Sequence, residues 1–286
     1  MKKRISVLGI AFVMLFSVVG IMGGCTSVQS EGYFLYTIRT VGNESVVEVF
    51  GLTELGRQQQ QLIIPTTIGG RRVAWIGAYP TFSLGFGFDF HPGDHSDFVF
   101  RSYNLERLFL KRYMHLANNT SSKHMFSSAP NLRGVFIIDA PTAWNESTSY
   151  TNNYNLYRVL NNNVWNGEIE EWVCSGVFIY LSYIHYQHIS STHSIIKPAN
   201  VTYFFNYDTA KNHGVHWIDD VDHGELICFA PPIPQREGYR FVAWYKESEI
   251  INRWDFNINR LPERKLDDKG SIVFQSTRLY AKWQAV

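Results

Sequence analysis

A short apolar signature recurs along this chain and constrains its fold more than any other feature. Leu105-Glu106-Arg107-Leu108-Phe109-Leu110 and Leu132-Arg133-Gly134-Val135-Phe136-Ile137 both carry apolar residues at positions one, four and six, follow an Asn, and start 27 residues apart. Cys174-Ser175-Gly176-Val177-Phe178-Ile179 repeats the pattern, and Gly-Val-Phe-Ile is identical at 134–137 and 176–179. Leu62-Ile63-Ile64-Pro65 supplies the last two inward positions of another unit and closes on a proline suited to a strand end. Leu156-Tyr157-Arg158-Val159 is a further partial unit, with Asn161 where the final apolar residue belongs.

A short strand alternates faces, so the fourth and sixth residues of each unit point inward and the fifth points outward. One such strand buries almost nothing alone, whereas units stacked about 4.8 Å apart make a continuous core, which explains why the spacing recurs. This register pairs Leu108/Leu110, Val135/Ile137 and Val177/Ile179 as inward residues and puts Cys174 at a core position. It sets Phe109, Phe136 and Phe178 at equivalent outward positions, with Ile63 beside them, Ile138 and Tyr180 two residues on, and Arg107 and Lys111 flanking Phe109. Two readings of that face follow. In one it is an exposed aromatic ladder with a basic rim, and Ile63, Arg107, Phe109, Lys111, Phe136, Ile138, Phe178 and Tyr180 bind a ligand, since a contiguous apolar patch marks an interaction site. In the other it is covered by a long insertion or by the C-terminal domain.

Ile76-Gly77, Phe82 and Phe126-Ser127-Ser128-Ala129-Pro130-Asn131-Leu132 extend the repeat into a form that resembles the BspA-type leucine-rich repeat. That family carries Ile-Gly, a buried Phe, a short turn and Leu-x-x-Val-x-Ile-Pro. Here Ala129 replaces the turn cysteine, and Phe100-Arg101-Ser102-Tyr103-Asn104-Leu105 is one residue short of the spacing. The resemblance covers 33–190 and implies an irregular β-rich solenoid, with 83–99 and 139–172 as insertions.

Residues 191–199 lack periodicity over most of their length and are expected to be a linker. Beyond them Val201-Thr202-Tyr203-Phe204-Phe205-Asn206-Tyr207, Tyr239 to Tyr245 and Arg278 to Trp283 are strand-like, and Pro231-Pro232-Ile233-Pro234 breaks the chain. The first of these, then Pro234-Gln235-Arg236-Glu237-Gly238-Tyr239-Arg240-Phe241-Val242-Ala243-Trp244-Tyr245, Trp254-Asp255-Phe256 and Leu279-Tyr280-Ala281-Lys282-Trp283, resemble the internalin B-repeat, also called the Listeria-Bacteroides repeat. The resemblance spans 200–286 and implies a small β-grasp-like sheet with Trp244, Trp254 and Trp283 in or near its core. Ala243 stands where that family usually has Gly. The expected fold class is therefore mainly β, a leucine-rich-repeat solenoid followed by a β-grasp-like domain.

The N-terminus supplies an address. Met1 to Arg4 is cationic, Ile5 to Met22 is almost wholly apolar, and Met22-Gly23-Gly24-Cys25 resembles the box of a bacterial lipoprotein leader. That resemblance implies a signal peptide over 1–24, acyl chains (palmitate among them) on Cys25, a tether over 25–32, and a location on the extracytoplasmic face of a membrane or on the cell surface. An uncleaved anchor helix is the other reading of the apolar stretch, and it too leaves the remainder outside the cytoplasm. The net charge is +1, and setting aside Lys2, Lys3 and Arg4 leaves −2, so no basic field is available for nucleic acid. Only Cys174 and Cys228 follow Cys25; at most one bridge is possible, and unpaired buried thiols are expected.

No arrangement with catalytic spacing emerges. The chain lacks Gly-x-Ser-x-Gly, His-Glu-x-x-His, a phosphate loop and a dinucleotide fingerprint. His185 and His188 are expected on a strand, facing opposite sides. His213, His216, Asp219, Asp220, Asp222 and His223 crowd one segment, and His91-Pro92-Gly93-Asp94-His95-Ser96-Asp97 another; polar loops account for both better than metal sites do. The expected role is non-catalytic, without cofactor or metal: recognition of an extracellular protein or glycan through the repeat domain. An envelope scaffold or spacer is the alternative, and a metal-assisted hydrolase of a surface polymer is a third reading.

Overall fold

A computed structural model describes residues 29–76, 100, 102–111, 129–139, 177–187 and 196–286, together with the backbone of five short strands at 82–83, 89–90, 115–116, 163–166 and 171–174. The architecture is mainly β. Residues 1–28, the 156–159 unit and the 91–97 histidine segment lie outside the described residues.

The N-terminal part opens with strand Gln29–Glu31, which pairs antiparallel with Phe34–Tyr36 where a tether was expected, and continues in a hairpin that the repeat pattern did not signal. Phe34–Val41 pairs antiparallel with Glu44–Leu52 across Gly42-Asn43. Gly42 holds φ +61°, which the first central position of a tight two-residue hairpin turn requires. Glu44–Leu52 then pairs parallel with Arg71–Ile76, and Val46, Val47, Val49 and Phe50 are all buried, so both faces of this strand are covered. Ile76, part of the repeat motif, is fully buried.

The repeated segments build a second sheet of five strands, in the order Ile196–Pro198, Phe178–Leu181, Gly134–Ile137, Arg107–Leu110 and Gln61–Ile64, every neighbouring pair parallel. Its inward columns are Leu62, Leu108, Val135, Ile179 and Ile196, and Ile64, Leu110, Ile137 and Leu181, all buried in one core with Leu105 and Leu132. The inward alternation expected from sequence is thus present, with two corrections. The first is register. The second Gly-Val-Phe-Ile does not align with the first: Gly134 lies opposite Phe178 and Phe136 opposite Tyr180, a shift of two residues. Such a slip keeps every side chain on its own face and costs no inward residue, so the alternation alone does not forbid it. The second correction concerns the supposed linker. Ile196–Pro198 is the fifth strand, paired with Ile179–Leu181.

Residues 200–286 form a four-stranded sheet in the order Val215–Asp219, Val201–Phe204, Thr277–Ala285, Tyr239–Tyr245. The first and last of these in sequence lie side by side and parallel at the centre, and both outer pairings are antiparallel. Tyr203, Trp244, Trp254, Leu279 and Ala281 are buried, and Trp283 is half-buried with its indole N–H donating to the Phe205 carbonyl. Cys228 is an exposed free thiol, against the expectation of burial, because its neighbour Ile227 takes the inward position.

Candidate binding clefts at the domain junction

The outward face of the parallel sheet carries the column Ile63, Phe109, Phe136, Tyr180, Lys197. Strand spacing sets the ring spacing: the centroids of Phe109 and Phe136 are 4.6 Å apart, those of Phe136 and Tyr180 4.7 Å, and both pairs are stacked. Tyr180, not Phe178, continues the ladder. Gly134 makes this possible, since a Cβ there would lie 2.8 Å from the Tyr180 ring and 3.0 Å from that of Phe136. Phe178 is displaced to the row of Gly134 and Arg107, half-buried, with the Lys197 ammonium 5.4 Å from its ring centre.

The ladder is not open to solvent. Phe109 and Phe136 are 1% and 2% exposed and Ile138 is buried, all in one apolar cluster with Val201, Tyr203, Trp217, Ile218 and Leu279. Trp217 stacks on Phe109 at 4.5 Å and so extends the ladder into the C-terminal domain. Of the two sequence readings, the one in which the C-terminal domain covers this face describes the structure. Ile63 and Tyr180 are half-buried at its margins.

Polar groups fix the contact. Nη1 of Arg107 donates to Oδ1 and Oδ2 of Asp219 at 2.9 and 3.0 Å, and its Nη2 lies 3.4 Å from the Asp220 carbonyl. Arg107 is therefore not a free basic rim but one half of an ion pair whose acidic partner is 2% exposed. Burial raises the Asp219 carboxyl to about 6, with Arg107 opposing the rise. Burial likewise raises Asp220, with the neighbouring Tyr180 hydroxyl and the Arg107 charge opposing the rise. The Asn212 amide donates to the Ile138 carbonyl at 2.8 Å, adding a third tie between the two parts.

These contacts redistribute the candidate metal ligands. His216 and Asp219 sit on strand Val215–Asp219 rather than in a loop. His216 hydrogen-bonds the Pro232 carbonyl through Nε2 at 2.7 Å, and burial lowers its pKa. His185 lies in a helical turn, Tyr183–Tyr186, and not on a strand; it is buried, with Nδ1 2.7 Å from the hydroxyl of the capping Ser182. His188 lies outside the described residues. Among the described residues no cluster of His, Cys, Asp or Glu is arranged to hold a metal ion.

Two clefts flank the covered face. One, of about 330 Å³, is lined by Lys111, Ile138, Asp139, Phe205, His216 and Trp217 among others. Lys111 is exposed there, the one predicted basic residue on this face left outside the ion pair. The other, of about 640 Å³, opens beyond Ile63 at the far edge of the parallel sheet and is lined by Tyr33, Gln58 to Gln61, Leu62, Asn104 and Phe229. The sequence reading missed this second cleft. Its one local signal was the uninterrupted Gln58-Gln59-Gln60-Gln61 just before the Leu62 strand.

Fold and junction together define a β-rich protein whose parallel sheet and C-terminal domain share a core. Residues 200–282 match the family model of the Listeria-Bacteroides repeat domain, in agreement with the resemblance drawn from sequence, and this domain points to a surface-type protein. No curated protein matches the chain.

Proposed function

We propose that this chain is a lipid-anchored bacterial surface protein that recognises an extracellular protein or glycan without catalysing a reaction. In this reading Cys25 carries the acyl chains, the parallel sheet is the inner wall of a BspA-like leucine-rich-repeat solenoid, and the C-terminal domain is β-grasp-like. The observation that carries it is the docked junction, where Trp217 joins the Phe109–Phe136–Tyr180 stack and Arg107 joins Asp219. It unites the two parts around one core and leaves concave, mixed polar and aromatic surface at its margins, as binding sites have. Recognition therefore belongs to the margins of the ladder rather than to its centre. Asp219 and His216 are already engaged by Arg107 and by the Pro232 carbonyl, which weighs against the hydrolase reading.

The burial of Phe109 and Phe136 supports a second reading, a structural spacer, because the most apolar surface of the repeat region is spent on internal packing. Two measurements test the proposal. Labelled palmitate is expected to enter the wild-type chain and not Cys25→Ala, and the full chain is expected to bind immobilised extracellular-matrix proteins or cell-surface polysaccharide saturably. Palmitate incorporation without any saturable binding would leave the spacer.

A further inference from the structure

The Gln58–Gln61 cleft carries a more specific reading. The loop that lines it is held from several sides. Thr53 caps the helical turn Glu54–Arg57, its hydroxyl accepting from the Gly56 N–H at 3.2 Å. Gly56 packs so closely on the Tyr33 carbonyl that any Cβ there would collide with it. The Arg57 carbonyl accepts from the buried Ser102 hydroxyl at 2.7 Å and from the Asn104 amide at 3.1 Å. The Gln60 carbonyl accepts from the Glu106 N–H at 2.8 Å and the Arg107 N–H at 3.2 Å, which ties the loop to the parallel sheet. The backbone of the glutamine run is thus preorganised.

The side chains are not committed in the same way. Gln59 donates to the Leu55 carbonyl, but the amides of Gln58, Gln60 and Gln61 make no hydrogen bond with a described residue. Each offers a donor and an acceptor. Beside them stand two aromatic faces, Tyr33 at 43% and Phe229 at 36% exposure, and the Arg107 guanidinium lies 5.5 Å from the Phe229 ring centre, linking that ring to the domain junction. Among the described residues lining the cleft none carries a charge.

We propose that this cleft is a binding site for a neutral saccharide. The inference rests on the recognition reading above and names its ligand class and location. A sugar ring presents hydroxyls that both donate and accept around an apolar face of C–H groups. Amides paired with exposed aromatic rings match both halves of that surface. An anionic polymer would call for Arg or Lys at the wall. An apolar peptide anchor would call for a deeper hydrophobic pocket than one half lined by glutamine.

The test is isothermal titration of the full chain in detergent with neutral hexasaccharides of glucose and of N-acetylglucosamine, with dextran sulfate and gelatin as charged and protein controls. At least one neutral hexasaccharide is expected to bind. Phe229→Ala and the double variant Gln58→Ala/Gln60→Ala are each expected to weaken it about tenfold or more. The double variant removes side chains that bond to no described residue, so its urea midpoint is expected to match wild type and to separate binding from folding. No neutral saccharide bound at about 10 mM, or binding of dextran sulfate or gelatin alone, overturns the proposal. Saccharide binding that neither variant weakens also overturns it, while leaving recognition itself standing.

Discussion

Asp219 is placed where its charge is costly, and the Arg107 guanidinium on both its oxygens offsets that cost only in part, which is why the carboxyl titrates near 6 instead of in the usual carboxylate range. Because the folded value lies above the unfolded one, the native state binds the extra proton between about pH 4 and pH 6, and the contribution of this group to stability falls as pH rises through that window. In Asp219→Asn that contribution is absent. Urea unfolding from pH 4 to pH 7 is expected to show wild type losing up to about 3 kcal/mol relative to the variant, most of it before pH 6. An unchanged difference across that range would show Asp219 to be solvated. His216 acts with the opposite sign: its lowered value favours the neutral ring, so its contribution is present above the usual histidine range and is lost as pH falls. Arg107→Ala leaves a buried carboxylate without its partner and is expected to cost about 3 kcal/mol at pH 7. Arg107→Lys restores little of this, since one ammonium cannot supply the paired donors that Asp219 and the Asp220 carbonyl receive.

At the level of the strand, the inward residues were legible because alternation must hold if the units share a core, and Leu108, Leu110, Val135, Ile137 and Ile179 all point into it. Register was not legible. Phe178 and Tyr180 have the same parity, so alternation does not choose between them, and the missing Cβ of Gly134 is what gives the Tyr180 ring room in the ladder. Gly134→Ala is therefore expected to destabilise by about 1–3 kcal/mol, as overpacking does, whereas Phe178→Ala, at a half-buried position, is expected to cost less than Phe136→Ala at about 3 kcal/mol or more. Denaturant midpoints rank the three, and a larger loss at Phe178 than at Phe136 would restore the unshifted register. Coverage of the face was written in the sequence in a form easy to pass over. Leu108-Phe109-Leu110 and Val135-Phe136-Ile137-Ile138 are uninterrupted apolar runs, and parallel strands buried on both sides look like this, whereas half-exposed ones alternate. The glutamine cleft was hidden for a different reason: it is assembled from Tyr33, the 58–61 loop, Asn104 and Phe229, which only the fold brings together.

Across the whole molecule, the shared cluster of Phe109, Phe136 and Ile138 with Trp217 and Tyr203 makes the repeat region and the C-terminal domain thermodynamic dependants of each other. Unfolding followed by tryptophan fluorescence and by far-ultraviolet circular dichroism is expected to give coincident transitions for wild type, and Phe109→Ala is expected to separate them. A chain ending at residue 199 would uncover Phe109, Phe136 and Ile138 at once and is expected to bind a hydrophobic dye that the full chain does not. Equal dye binding would mean that the face has another cover. The outermost strands of the parallel sheet have a consequence of their own. Gln61–Ile64 runs directly into Pro65, and Ile196–Pro198 ends on a proline next to Lys197. A residue without an N–H cannot extend a ladder, and a charge beside it resists a newcomer. An approaching strand at either margin of this sheet thus meets a proline that offers it no N–H, so growth of the sheet from one molecule into the next is disfavoured there.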